Sequence, residues 1–469
     1  MANRLGARPS SFASDGAGAP VRARAVRAPS RLDPANLLGA PLRRLREDWR
    51  DPLLRNGYAL IVNIGATSLL GFLYWLLAAH LYPRSAVGLG SAAINLMQLL
   101  AGIGGQLTVA AALTRFIPRA GTATTRLAVL SYCLAGGAGI LVSLLYFAGL
   151  ALHLYPATLG HGWLLSLALG GSVTVWCVFA LQDAVLTGIR QAVWIPIENG
   201  LYGIAKIAML IALAHVARTY GIFASWTVPA LVALLPVNLL IFGRLLPRHV
   251  AGHRGEPAGV SFRSMSRFMG GDYLGTIFFM ATGALMPVLI VARLGATEAA
   301  YWAVSYVIIY ALDLVTVNLG VALMVEGVTD RSRLRAHTVA VVRRVAAIIV
   351  PSVVLLLLFA THVLSVFGPA YAAKGSGLLR LLSLAVLARA VTSLWISLSR
   401  VERRVGVIAF WQGCTFVLVV GLAWWLMGRM GIDGVGVAYL ASQAVIAACL
   451  LPSILRILSK PRAVPAAAE

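Results

Sequence analysis

The sequence predicts an all-α polytopic membrane protein: twelve transmembrane helices in two parallel six-helix lobes around a central cleft. Three observations predict it. Apolar residues make up 59% of the 469-residue chain and charged residues 12%, against about 45–50% and 25% in soluble domains. The apolar residues gather into twelve runs, each about the ~20 residues that cross a ~30 Å hydrocarbon core as a helix. The phrase LLAAHLYPRSAVGLGSAAIN at 76–95 also returns in plan as LIVARLGATEAAYWAVSYVI at 289–308. In both, an apolar helix ends, a turn of small and charged residues follows, and a second apolar helix begins.

Residues 1–56 stand apart. They hold eleven Arg, no Lys, and many Ala, Pro and Ser, with no apolar run of signal-peptide type. So basic a segment is expected to be disordered to about residue 40. The stretch PLRRLREDWRDPLLRNG that follows has two readings, a solvated basic leader or a short interfacial helix that lays Trp49 and its leucines on the inner membrane face.

The apolar runs begin at 57–79 and continue at 88–114, 127–152, 162–187, 193–214 and 221–246, which makes an N-terminal lobe of 57–246. After an inter-lobe loop at 247–267 come 268–292, 299–325, 340–366, 376–399, 405–428 and 434–458, the C-terminal lobe of 268–458, and then a tail at 459–469. The longer runs imply tilt or extension past the bilayer. Cys133, Cys177, Cys414 and Cys449 all fall inside apolar runs, which argues against disulfides and a metal site. No cofactor is expected.

Orientation follows from Lys and Arg, because short loops rich in them stay in the cytoplasm. With the N-terminus inside, the inner loops and C-terminal tail hold twenty such residues and the outer loops five, namely Arg84, Arg218, Arg293, Lys374 and Arg429. Both termini are therefore expected on the cytoplasmic side of a cytoplasmic (inner) membrane. The net charge of +23 reads as this asymmetry together with contact to anionic lipid, and gives no support to nucleic-acid binding.

Six is an even number, so each half starts on the same side and the repeats are parallel. Transporters built on such repeats place their substrate between the halves. At 100° per residue, polar side chains form stripes. The first run carries Asn56, Asn63, Thr67 and Tyr74; the second Asn95, Gln98, Gly102 and Gln106. The seventh carries Asp272, Thr276 and Gly283, and the eighth Trp302, Tyr306, Asp313 and Gly320 with Thr316 beside them. Such residues either line a cleft or hydrogen-bond to neighbouring helices for packing. Their recurrence on corresponding runs favours the cleft.

With this layout, and in phrases such as LLAAHLYPRSAVGLGSA and GIGGQLTVAAALTRFIP, residues 57–458 resemble polysaccharide or lipid-linked oligosaccharide flippases of the Wzx type. These belong to the MOP superfamily, with the MATE drug exporters and the lipid II flippases. The resemblance implies a central cleft lined by helices one, two, seven and eight. It also implies a substrate of sugars on an undecaprenyl-(pyro)phosphate, a polyprenyl-phosphate-linked glycan, turned from inner to outer leaflet by alternating access.

A pyrophosphate crossing the membrane needs cations and donors in place of water, and the Arg fork binds phosphate oxygens in pairs. Arg115, Arg267 and Arg389 are the candidates, with positive-inside charge as the alternative explanation of the first two. Sugar hydroxyls would meet Asn63, Asn95, Gln98 and Gln106, with Asp272 and Tyr306 also facing the cleft. Arg389 lies mid-membrane, where a lone charge costs at least about 2.5–3.5 kcal/mol. It therefore needs a partner, and Asp313 lies at similar depth, either as a buried pair or as the site of a coupling ion (H+ or Na+). Glu198 and Lys206 raise a parallel case in the fifth run, with Asp183 of the fourth; they read as a satisfied polar cluster or as a proton or sodium site.

The register of the repeated phrase sets Arg84 beside Glu298 and Arg115 two residues beyond Glu326. These pairs are expected to gate the outer and inner mouths of the cleft.

Enzyme readings fare badly, since the chain has no Walker loop, HExxH, GxSxG or metal-spaced Cys or His. A membrane glycosyltransferase or polymerase that uses lipid-linked sugars is the competitor from another class. It would carry acidic residues in a long outer loop, and the longest one here, FGPAYAAKGS, has none. Such an enzyme is better placed as a pathway partner. Among transporters the alternative is a MATE-type cation-coupled exporter, which commonly uses an acid near helix one; residues 57–152 contain no acid.

Overall fold

A computed structural model describes residues 52–153, 163–253, 262–329, 334–402 and 404–459. Of Arg267, Asp272 and Glu326 it describes the helical backbone alone. The expected interfacial stretch, up to residue 51, lies outside the described residues.

Every long element is a helix. The first half comprises α1 (Pro52–Leu81), α2 (Arg84–Ile103), α3 (Gln106–Phe116), α4 (Thr124–Ala151), α5 (Trp163–Gly188), α6 (Trp194–Leu213) and α7 (Gly221–Leu240). A π-turn at Ile241–Leu245 carries α7 into α8 (Leu246–Gly252). The second half comprises α9 (Phe262–Leu294), α10 (Ala296–Thr329), α11 (Leu334–Ser365), α12 (Pro369–Val401), α13 (Val405–Met430) and α14 (Ile432–Ser459). Among the described residues, twelve spans are long and apolar enough to cross a membrane. Their outer surface is itself apolar: Leu144, Leu145, Leu235 and Leu358 are 62–69% exposed. Helices that satisfy their own backbone can present such a surface to lipid, and the chain is a multi-pass membrane protein.

Two features depart from the sequence reading. The second apolar run, expected as one helix over 88–114, breaks at Gly104–Gly105, and Gly105 takes a left-handed φ of 80°. Two adjacent glycines make that break cheap, because neither has a Cβ to clash. Helix also continues past the apolar runs, to Gly252 before the inter-lobe connection and from Phe262 after it. A helix satisfies its backbone among headgroups as well as in hydrocarbon, so it outlasts the apolar run.

The repeated phrase appears as two helix–turn–helix units. In the first, Pro83 is extended (φ −62°, ψ 147°) and its carbonyl accepts from Ala86 N and Val87 N at 2.9 and 3.1 Å. Tyr82 is buried there and donates its hydroxyl to the Leu210 carbonyl at 2.8 Å, tying the turn to α6. In the second, Gly295 at φ 96° separates α9 from α10.

Within the first half α1 packs on α6, and α5 packs on α4, α3 and α7; within the second, α12 packs on α10, α11 and α14, and α13 on α9 and α14. The halves meet along α2, which lies against both α9 and α10. Its small residues permit this. A Cβ at Gly88 would collide with the Ala296 carbonyl and stand 2.9 Å from Ala300 N. The buried core is continuous across this seam, from Tyr74 and Met97 to Trp302 and Tyr439.

Candidate functional site

Three places in the bundle gather polar side chains. The first is the face of α2. Gly88 abuts α10 and Gly102 abuts Met280 of α9; Asn95, midway between them at seven-residue spacing, shares their face, with Gln98 beside it. The polar stripe of the second run is therefore turned toward the second half. Asn95 Nδ2 donates to the Ser91 carbonyl one turn back at 2.9 Å. Among the described residues Gln98 and Gln106 have no hydrogen-bond partner. Gln106 is buried and opens α3 beyond the glycine break. At that level the Tyr273 hydroxyl of α9 donates to the Ile103 carbonyl that the break has freed.

At the Arg84 end of the bundle the halves are fastened together. Arg84 Nη1 donates to the Tyr301 hydroxyl at 2.9 Å, and Tyr301 stands edge-on to Tyr371 with ring centres 5.6 Å apart. Phe72 of α1 meets Phe367 in the same manner at 5.6 Å. Glu298, the partner expected for Arg84, makes no ion pair among the described residues. Tyr301 lies one turn further along α10 and nearer the seam. Arg115 sits in the last turn of α3, its guanidinium 5.9 Å from the Phe116 ring; the Glu326 side chain lies outside the description.

The second place is the interior of the second half. Arg389 Nη1 of α12 lies 3.0 Å from Asp313 Oδ2 of α10, with the side chains 16% and 7% exposed. The structure thus brings together the two mid-membrane charges that needed partners. Tyr306 lies beside the same guanidinium. It stacks on Trp302 at 5.0 Å, and Trp302 packs on Tyr439 at 5.2 Å. Tyr439 donates to the Thr282 carbonyl at 2.7 Å. The eighth run's stripe therefore faces α12 and α14 of its own half, not the first half. Thr316 and Gly320 continue it into a groove of about 170 Å³ between α10, α11 and α12, lined otherwise by apolar side chains such as Val345 and Leu394. Gly283 of the seventh run looks the same way, onto the Tyr306 hydroxyl.

The third place is the interior of the first half, where the first run's stripe points. Tyr74 donates to the Ile222 carbonyl at 2.9 Å and lies 2.8 Å from Ser225 Oγ. Asn56 donates to the Arg190 carbonyl at 3.0 Å, and Asn63 keeps a buried Oδ1 without a partner. Beside Tyr74 sits the ammonium of Lys206, 4.1 Å from the centre of the Trp226 ring, 4.7 Å from Tyr74 and 5.4 Å from Tyr202. Lys206 is therefore held by ring faces and does not pair with Glu198, which lies two turns away on the same helix. The Tyr202–Lys206 spacing of four was visible in the sequence; Trp226 and Tyr74 were not, because tertiary packing brings them in.

No protein-family model matches the chain, and no curated protein matches it. Solved structures do. An inward-facing multidrug resistance MATE family transporter of the MOP superfamily superposes with a TM-score of 0.64 at 15% identity, covering 85% of this chain and 98% of that one. An outward-facing one gives 0.59 at 16% identity, covering 87% and 96%. A MOP superfamily transporter from Pyrococcus furiosus, described as having a binding pocket of reverse polarity, gives 0.58 at 15% identity over 87% and 96%. The chain has the all-helical fold of MATE and MOP superfamily transporters.

Proposed function

We propose that this chain is a flippase of the cytoplasmic membrane, which moves a lipid-linked oligosaccharide or polysaccharide precursor from the inner to the outer leaflet by alternating access of its two halves. The observation that carries the reading is the face of α2. At the seam where two rocking halves would part, Asn95 and Gln98 face the second half and Gln106 follows beyond the glycine break. The amides of Gln98 and Gln106, unpartnered among the described residues, are suited to the hydroxyl-rich surface of a sugar chain. The fastening at the Arg84 end fits an outer mouth that is shut while substrate enters from the cytoplasmic side. Arg115 and Arg267 would then receive the pyrophosphate at the inner mouth, and the Asp313–Arg389 pair would serve coupling or hold the second half together.

A second reading, a MATE-type cation-coupled exporter, is favoured by the names of the solved structures. The absence of any acid in residues 57–152 weighs against it. Depletion of the protein, followed by leaflet-specific labelling of the lipid-linked intermediate, decides between them. The flippase reading expects the intermediate to accumulate on the inner leaflet. Unchanged outer-leaflet display, with drug efflux by reconstituted protein, would replace it with the exporter.

A further inference from the structure

The first half holds a second polar group, close to the turn between α5 and α6. Asp183 lies five residues before the end of α5 and Glu198 four residues after the start of α6, so both sit about 7 Å inside the helix ends. Asn199 donates its amide to Asp183 Oδ2 at 3.0 Å, which fixes the two helices at this level. The remaining oxygens are left over. Glu198 is 7% exposed, and neither Oε1 nor Oε2 has a hydrogen-bond partner. Asp183 Oδ1 and the Tyr132 hydroxyl are likewise buried without one. Tyr132 comes from α4, its ring edge-on to Phe242 at 5.5 Å, and lies within electrostatic reach of both carboxylates, which act on each other as well.

Two buried carboxylates that act on each other within a membrane repel and need a counter-charge. Among the described residues the protein brings none to them: no Lys, Arg or His forms an ion pair with either. Lys206, about 12 Å along α6 from Glu198, is taken up by aromatic rings. Buried polar atoms without partners in a folded protein mark an ion or a special role, and four oxygens from three helices make a hard-cation ligand set. Calcium takes six to eight oxygens and magnesium a near-ideal octahedron, more than is gathered here. A monovalent cation asks less.

We propose that Glu198, Asp183 and Tyr132 form a sodium-ion site between α4, α5 and α6, separate from the Asp313–Arg389 pair and from the α2 seam. An ion held there joins three helices of the first half, so binding should stiffen that half as a unit.

The test uses purified full-length protein in detergent, with thermal unfolding followed as sodium chloride replaces choline chloride at constant ionic strength. A ligand that binds only the folded state raises the midpoint with concentration. The expected result is a saturable rise with sodium that potassium does not match. Glu198→Gln and Asp183→Asn should abolish it. Tyr132→Phe, which keeps the ring and removes one oxygen, should weaken the apparent affinity, so the proposal remains testable if the charge variants fail to fold. Equal midpoints in sodium and choline, a sodium response that survives Glu198→Gln, or an unchanged affinity in Tyr132→Phe would each overturn it. The readout is ion binding alone, so its failure leaves the flippase reading untouched, and failure of the leaflet experiment leaves the ion site untouched.

Discussion

Arg84 reaches across the seam between the halves and donates one guanidinium N–H to the Tyr301 hydroxyl at 2.9 Å. The bond is partly exposed, and a charged hydrogen bond contributes about 1.5–3 kcal/mol at most. By itself it biases a two-state equilibrium and does not lock it. The tighter constraint lies one turn along, where Gly88 touches the backbone of α10.

Gly88→Val should therefore prevent the halves from closing at the Arg84 end. A single cysteine placed at Asn95 should become more reactive to a water-soluble thiol reagent applied from that side in the Gly88→Val background. Tyr301→Phe should raise its reactivity less. Equal labelling in all three backgrounds would remove the seam from the gating mechanism.

Removing one member of the Asp313–Arg389 pair strands a buried charge, which costs about 3–5 kcal/mol. Asp313→Asn and Arg389→Gln should each lower the thermal midpoint in detergent, and the double variant should lose less than the two added together. Additive losses would mean that the 3.0 Å approach carries no coupling.

Lys206 should behave differently, because its ammonium is held by rings and not by a carboxylate. Cation–π contacts at desolvated sites are worth about 2 kcal/mol each and Lys206 makes three, while burying the charge costs several kcal/mol, so the two nearly offset. Lys206→Met should shift stability by no more than about 1 kcal/mol, whereas Trp226→Ala should cost about 3–5 kcal/mol. Unfolding midpoints of the two variants check the contrast, and a large loss in Lys206→Met would point to a carboxylate partner.

Gly105 takes φ 80°, a region that costs an L-residue about 1–2 kcal/mol. Gly105→Ala should destabilise by that amount. Gly137→Ala, in the middle of α4 where a Cβ meets nothing within 4 Å, should be neutral or slightly stabilising. Measured side by side, the pair separates backbone strain from helix propensity. Equal effects would show that the break after Ile103 relaxes without cost.

The apolar runs and the doubled helix–turn–helix plan were legible because length and hydrophobicity act locally. The need of Arg389 for Asp313 was legible because a mid-membrane charge admits few solutions. What periodicity could not say was which neighbour a polar face meets. It put Tyr74 on one side of α1 and Tyr306 on one side of α10, yet both sides turn into their own half, whereas the α2 stripe turns to the other. Arg84 failed to find Glu298 for a related reason. Register through a repeat is good to about a turn, and Tyr301 one turn on offers a hydroxyl closer to the seam.

The sandwiching of α2 between α9 and α10 also has a consequence in time. Synthesis of the first half finishes before the second emerges. Gly102 and Met280, which end up in contact, are 280 − 102 = 178 residues apart. At about 5–20 residues per second, roughly 10–40 s separate their syntheses. For that interval the face of α2 lacks the α9 and α10 partners it meets in the finished protein. Glycines tolerate the delay, since they leave no side chain unpartnered. Asn95, with its amide bonded to the Ser91 carbonyl one turn back, carries its own partner through the wait; Gln98 must borrow one.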